Sequence, residues 1–535
     1  MFPQDIGPSR AAQEAMYPPL QLSPSLRIAF IHPDLGLERL VVDAALALQK
    51  RGHEVELFTS YHEDGPKGRS FEETRNGALK VHVLGNSIFP RSFFGRFTIL
   101  CAIFRQLHLT LSFLIASLLF HLSTLPLVSS VILPLDTPYK SSSSWSIRRQ
   151  LEPFDVIVVD QLSTATPLLR WFGFNRIVFY CHFPDLLLAP GQTFVPDPRG
   201  PGPFSLKGEL RAFYRIPIDK LEEATTGEAD KILVNSEFTS EVFQKTFKEL
   251  RRIPRVVYPA VDSAAYEKKE EPAEEDKWLV SENPTLLSIN RFEGKKDAGG
   301  YDPRLADNVL TLSNLQKLAA KHNLSQHAFS AAPLDFVASP VTPRNRPTIS
   351  SSAPSASDFP QILFLLNMTA SQKTLLLSAA STIALLYTPM YEHFGIVPLE
   401  AMASGLPVIA TTSGGPTETI VDEGLPSPSS DDAAPTRTTG LLRRRDPAAW
   451  SEAVSSLLAL SRSQRAEIGQ AGKERVRSVF SQAQLGENME RACRDAASAG
   501  MPIPYELGFK KLCAFLVIGG FCFTSGVLAF SLGRM

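Results

Sequence analysis

The chain has 535 residues, 44% hydrophobic and 20% charged. That is long enough for two or three domains and ordinary for globular ones with real cores. Lys+Arg and Asp+Glu nearly cancel, 54 against 55, so the basic bias of a nucleic-acid binder is missing. The five cysteines (Cys101, Cys181, Cys493, Cys513, Cys522) are scattered and form no CxxC pair, which fits a reducing compartment rather than a disulfide framework.

Residues 1–25 are polar and Pro-rich, without the apolar core of a secretory leader, and are expected to be disordered. Leu26 to Ile31 reads as a buried strand, with the turn His32-Pro33-Asp34-Leu35-Gly36 after it. Glu38 to Arg51 has helical periodicity, with Leu40, Val41, Ala44, Ala45 and Leu48 on one face. Gly52 ends it, and Glu54 to Thr59 is the second strand. This βαβ opening predicts a Rossmann-like half.

From Gln106 to Leu135 no Asp, Glu, Lys or Arg occurs. Within the apolar segment 97–135 three readings stay open: a helix lying in or partly embedded in a membrane, a true span, and a buried core helix. Phe154 to Asp160 and Arg176 to Cys181 are strong buried strands, and the second delivers His182-Phe183-Pro184-Asp185 to its end. Lys231 to Asn235 is a strand, and Ser236 caps the helix that follows it. The first domain is read as 26–265, and the charged run 266–282 as a linker.

The second domain, 283–497, begins with the strand Thr285 to Asn290, followed by Arg291-Phe292-Glu293-Gly294-Lys295-Lys296. A Ser/Pro/Ala-rich insert, 331–358, is expected to be disordered. Thr382 to Tyr387 is an apolar strand that leads into Glu392, and a helix follows near Pro398 with Glu400 in its first turn. After Gly405-Leu406-Pro407 comes the strand Val408 to Thr411, and then Gly414-Gly415-Pro416 opens another helix. Two carboxylates and a glycine pair thus stand at the C-terminal ends of neighbouring strands, where open α/β sheets bind ligands. A helix start behind two glycines suits a phosphate. Leu512 to Leu532 carries no charge and follows Lys510-Lys511. At about 1.5 Å per residue it is long enough to cross roughly 30 Å of hydrocarbon. A C-terminal transmembrane anchor at 512–532 is expected, with the body on the cytosolic side.

The fold class expected is α/β, two Rossmann-like domains facing across a cleft. The first contributes His32, Asp34, Gly36, His182 and Asp185; the second contributes Arg291, Lys295, Lys296, Glu392, Glu400, Gly414 and Gly415. These parts suit a sugar nucleotide: cations for a departing diphosphate, a carboxylate for ribose hydroxyls and backbone N–H groups for phosphate. No DxD-like pair is placed for Mg²⁺, so no metal and no cofactor is expected. Plainer readings exist residue by residue. Lys295-Lys296 alone reads best as a solvated pair, His182 as a satisfied strand-end histidine, and either glutamate alone as a surface or helix-start charge.

The motifs together carry a resemblance. The stretch from Glu392 to Glu400, EHFGIVPLE, resembles the paired-glutamate signature of the retaining GT-B glycosyltransferases of family 4. Phe30–Gly36, Glu38–Gln49, Phe179–Leu188, Ile232–Phe243, Val256–Asp262, Ser288–Lys296, Gly299–Arg304 and Tyr387–Ile420 resemble the α-1,3/α-1,6-mannosyltransferase family of dolichol-linked oligosaccharide assembly. The resemblance covers most of 26–497. It implies GDP-mannose as donor and, as acceptor, a dolichyl-diphosphate GlcNAc₂ chain bearing one mannose. Two mannoses would be added at the cytosolic face of the endoplasmic reticulum membrane, beside other early glycosyltransferases of that pathway. By this pattern Arg291 and Lys295 or Lys296 bind the diphosphate, Glu400 holds the donor ribose, Glu392 faces the mannose and His182 lies at the reacting centre. His32, Asp34 and Asp185 fall on the acceptor side, and Gly36, Gly414 and Gly415 on the donor phosphates. Retention would proceed by front-side departure and attack through an oxocarbenium-like transition state.

The chain departs from the pattern twice. The loop Asp34–Glu38 is short and has one glycine. After Lys296 only Asp297 and Ala298 precede Gly299, where the family has a helix and a strand. A parallel crossover needs a dozen or more residues, so that unit is expected to be missing. A non-catalytic, membrane-anchored partner of other glycosyltransferases is therefore the alternative.

Overall fold

The structure is a computed structural model of the whole chain. It describes residues 24–33, 39–63, 70–85, 88–90, 98–124, 154–184 (except 173 and 175), 219–267, 272–280, 283–290, 301–355 (except 332–333, 335, 337–338 and 340), 359–425 and 437–499. The expected anchor at 512–532 and both sequence departures lie outside the described residues, as do Asp34, Gly36, Asp185, Arg291, Lys295 and Lys296.

Among the described residues thirteen strands in three parallel sheets form the frame. They are β1 (Arg27–His32), β2 (Glu54–Thr59), β3 (Lys80–Val83), β4 (Val156–Asp160), β5 (Ile177–Cys181), β6 (Lys231–Val234), β7 (Arg255–Val256), β8 (Thr285–Leu287), β9 (Gln326–Ser330), β10 (Ile362–Leu366), β11 (Thr382–Tyr387), β12 (Val408–Thr411) and β13 (Gly440–Arg443). The first sheet has the order β3-β2-β1-β4-β5-β6-β7. Strands β4 and β5 are buried at every position, as their unbroken apolar runs require of parallel strands covered on both faces. The chain divides into two compact units, 1–180 with 220–231 and 489–535, and 181–219 with 232–488.

In the first unit the helix Arg39–Lys50 buries Val41, Ala44, Ala45 and Leu48 of the expected face, and Val42 besides, while Leu40 is half-buried. It stops before Gly52, whose φ of +89° is costly for any residue with a Cβ. The apolar segment forms one helix, Thr98–Thr124. Half of its window Leu100–Ser117 is buried in the fold. The buried side includes Gln106 and Thr110 beside Leu109 and Phe113, while Leu111 and Ile115 are exposed, the latter by 51%. A wholly buried core helix therefore does not describe it. Arg105 turns inward and donates to Pro33 O and Ser60 Oγ, both at 3.1 Å, which pins the turn after β1.

The second unit holds a four-stranded sheet, β13-β12-β11-β8, and a separate pair, β10-β9. Between β8 and β9 the described residues supply one helix, Ala306–Lys321, and no strand. Among the described residues the sheet therefore ends at β8, and β9 pairs only with β10. The consequence is thin cover. No residue of β8 is buried and Leu286 is 40% exposed, whereas all of β12 is buried.

Part of 331–358 differs from the expected disorder. Val341 packs with Tyr301, Val309, Leu312 and Leu366. The Gln316 amide donates to Thr348 O at 2.7 Å and accepts from Thr348 N at 3.0 Å. Arg346 donates to Val341 O and Phe336 O, both at 3.1 Å. A few apolar anchors in a Ser/Pro-rich stretch suffice to fix it when backbone groups find partners.

Candidate active site

A core of the second unit surrounds β11, β12 and the helix Ile396–Ser404 and includes Leu385, Tyr387, Leu399, Met402 and Val408. That core positions both glutamates. The loop after β11 carries Tyr391 at φ +56° and Gly395 at +86°, so it doubles back before the helix starts. The helix begins at Ile396, two residues before Pro398, so Glu400 stands beyond its first turn rather than in it, and the helix ends at Gly405 with φ +81°. Gly405 N–H donates to Met402 O and Leu406 N–H to Ala401 O, both at 2.9 Å, an αL helix end.

Glu400 lies on the inner face of this helix. Its Oε1 accepts from Lys373 Nζ at 2.7 Å and from Tyr266 Oη at 2.8 Å. Its Oε2 is buried and has no hydrogen-bond partner among the described residues. Lys373 comes from the helix Ala370–Ser378, which starts in a capping box of Thr369 and Gln372. Tyr266 comes from the short helix Ser263–Glu267, at the start of the stretch that reads as linker. Neither was legible as a site residue.

The glycine pair serves the Glu392 loop. A Cβ on Gly414 would stand 2.4 Å from Glu392 O, and one on Gly415 would stand 2.3 Å from Phe394 O. Gly415 N–H donates to Glu392 O at 2.8 Å. That N–H is engaged by protein, and the helix it precedes, Pro416–Thr419, is a single turn. The expected helix start for phosphate is therefore short, and close backbone approach is what demands glycine here.

Beside Glu392, the His393 imidazole stacks on Phe183, with ring centroids 3.7 Å apart and planes 4° apart. His393 O accepts from Ser236 Oγ at 2.5 Å, the same hydroxyl that caps the helix Glu237–Thr246. The stack sets the residue after His182 against the residue after Glu392. Glu418, which the sequence did not mark, holds the first two N–H groups of that helix. Its carboxylate accepts from Glu237 N at 2.8 Å, Phe238 N at 2.6 Å and Tyr258 Oη at 3.2 Å. Burial raises its pKa, and the two backbone donors only partly oppose that. Tyr258 is also raised, by burial first and then by the Glu418 charge.

In the first unit, His32 Nδ1 meets Asp160 Oδ2 at 2.9 Å, both buried. The partners end the adjacent parallel strands β1 and β4. Asp160 closes an apolar run, and a lone acid after four buried residues is the signal that could have marked it.

Solved structures share this architecture. The sucrose-phosphate synthase of Thermosynechococcus elongatus matches with a TM-score of 0.51 at 16% identity, over 88% of this chain and 98% of that one. The catalytic domain of starch synthase IV from Arabidopsis thaliana matches with a TM-score of 0.51 at 15% identity, over 89% and 100%. A family model described as "Glycosyl transferases group 1" matches residues 359–475, and one described as "Glycosyltransferase Family 4" matches 36–265. Parallel α/β sheets with these family matches define a glycosyltransferase of GT-B-like fold. The α-1,3/1,6-mannosyltransferase ALG2 of Rhizomucor pusillus is 36% identical over 88% of this chain and 91% of its own. The ALG2 proteins of Kluyveromyces lactis (38%, over 87% and 84%) and Saccharomyces cerevisiae (35%, over 86% and 83%) are similar. The chain belongs to the α-1,3/1,6-mannosyltransferase family.

Proposed function

We propose that this protein transfers α-1,3- and α-1,6-linked mannose, the linkages in its relatives' names, to a dolichol-linked oligosaccharide. GDP-mannose is the donor, and the acceptor is the dolichyl-diphosphate GlcNAc₂ chain bearing one mannose. The observation that carries the donor reading is Glu400: a buried carboxylate on the helix between β11 and β12, with one oxygen clamped and one unpartnered among the described residues. Such an oxygen suits a ribose hydroxyl, which supplies the missing donor.

In this reading the two halves are those of a GT-B enzyme, with donor groups in the second Rossmann-like domain and acceptor groups in the first. Arg291 with Lys295 or Lys296 neutralises the departing diphosphate without a metal. Glu392 faces the mannose and His182 the reacting centre, with His32, Asp34 and Asp185 toward the acceptor. The outward leucine and isoleucine of the helix Thr98–Thr124 meet the membrane. Residues 512–532 anchor the chain in the endoplasmic reticulum with its body in the cytosol. The break beside β8 is the one feature in favour of a non-catalytic partner, and family membership does not favour it.

The test is direct. The membrane-reconstituted protein is incubated with GDP-mannose and the one-mannose lipid acceptor. Mannose transfer that Glu392→Ala abolishes supports the reading. No transfer, beside activity in a version with the helix and strand after Lys296 restored, would favour the non-catalytic one.

A further inference from the structure

Glu400 is fixed from outside its own helix. Its Oε1 takes two donors from two other segments, Lys373 Nζ and Tyr266 Oη. The torsion that swings a carboxylate is broad and roughly two-fold. A charged donor and a phenol on one oxygen remove that freedom and aim the other. The aim is maintained by tying down the Tyr266 segment. Glu267 pairs with Arg477 at 2.7 Å, and Val261 N–H donates to Phe480 O at 2.9 Å. The lysine is not a loose surface charge: its side chain is 25% exposed and that of Glu400 12%. The oxygen left over, Oε2, is withdrawn from water with no donor among the described residues, a costly state for a buried polar oxygen unless a ligand completes it.

We propose that Tyr266 and Lys373 are positioning residues for the donor: they hold Glu400 Oε1 so that Oε2 is presented to the ribose hydroxyls of a guanine nucleotide. The inference rests on the donor reading above and adds to it two residues from outside the paired-glutamate motif. Lys373 also sets a positive charge 2.7 Å from Glu400 Oε1.

The experiment compares the affinity of the full-length protein for GDP and for 2′,3′-dideoxy-GDP, in wild type, Tyr266→Phe, Lys373→Met and Lys373→Arg. Wild type is expected to prefer GDP by roughly tenfold, the worth of a hydrogen bond to a charged group. Tyr266→Phe and Lys373→Met are expected to lose most of that preference by weakening GDP alone. Lys373→Arg is expected to keep it. Retention of the full preference in both variants, or equal weakening of the two nucleotides, would overturn the positioning role and leave the donor reading intact. A wild type that binds neither nucleotide would overturn the donor reading, and the clamp with it.

Discussion

Phe183 lies flat on the His393 imidazole, centroids 3.7 Å apart and planes within 4°. Each ring is the immediate neighbour of a residue assigned to the chemistry, His182 on one side and Glu392 on the other. Offset-stacked and edge-to-face aromatic pairs contribute about 0.5–1.5 kcal/mol beyond burial and a near face-to-face pair such as this one less, enough to bias a loop without setting global stability. Phe183→Leu is expected to lower kcat for mannose transfer by about tenfold, with the KM for GDP-mannose changed less than about twofold. Phe183→Tyr, which keeps the flat ring, is expected to retain most of kcat. Steady-state kinetics on the two variants check this, and an unchanged kcat in the leucine variant would refute it.

The glycine pair gives a steric prediction. Gly414→Ala puts a methyl 2.4 Å from Glu392 O at a φ of +66°, and Gly415→Ala puts one 2.3 Å from Phe394 O. Both clashes are with backbone, which has no rotamer to yield. Each is expected to destabilise by about 3 kcal/mol or more and to abolish transfer. Gly424 is the control. It has φ +94° but nothing within 4 Å of a built Cβ, so Gly424→Ala is expected to cost only about 1–2 kcal/mol from backbone strain. Thermal unfolding of the three variants separates crowding from conformation.

What the sequence revealed and what it hid divide along one physical line. Runs such as Val156–Asp160 and Ile177–Cys181 are legible because burial on both faces of a parallel sheet leaves a continuous apolar signature. The spacing of Glu392 and Glu400 is legible because strand, loop and helix are local. Tyr266 was hidden: it reaches Glu400 from 134 positions earlier in the chain, out of a stretch whose charge reads as linker. Asp160 was hidden in its pairing, since its partner His32 is 128 positions away. Gly414 and Gly415 were legible as a special backbone, but their cause differed: the neighbour that excludes a Cβ is the Glu392 loop itself. Periodicity reports which face is buried, not which chain segment covers it.

The His32–Asp160 pair predicts a stability cost with a kinetic signature. Both side chains are all but sealed from water, at 1% and 2% exposure. Breaking such a buried pair by removing one partner costs about 3–5 kcal/mol. Asp160→Ala is expected to lower the unfolding free energy by that order. Asp160→Asn still offers an oxygen to Nδ1, and is expected to lose less stability. If His32 serves the acceptor, the asparagine variant raises KM for the lipid-linked acceptor while GDP affinity stays as in wild type. Denaturant unfolding and two-substrate kinetics measure the two effects separately.

Glu418 predicts a pH dependence whose sign can be worked out. Burial raises its pKa above the ordinary 4.5, and the N–H groups of Glu237 and Phe238 and the Tyr258 hydroxyl offset only part of that. A carboxyl with a raised folded-state pKa contributes stability that is complete below its unfolded value. That contribution is lost as pH rises through the folded value. Wild type should therefore lose stability relative to Glu418→Gln as pH climbs above about 4.5, and the difference should level off once the carboxyl is ionised in both states. The glutamine keeps the shape and one acceptor, so it also loses a constant increment from the second backbone N–H, about 1–3 kcal/mol. Unfolding curves of both proteins from pH 4 to 8 test the slope. A wild-type advantage that grows with pH would mean that the two backbone donors outweigh burial, and that Glu418 caps the helix as a stabilised anion.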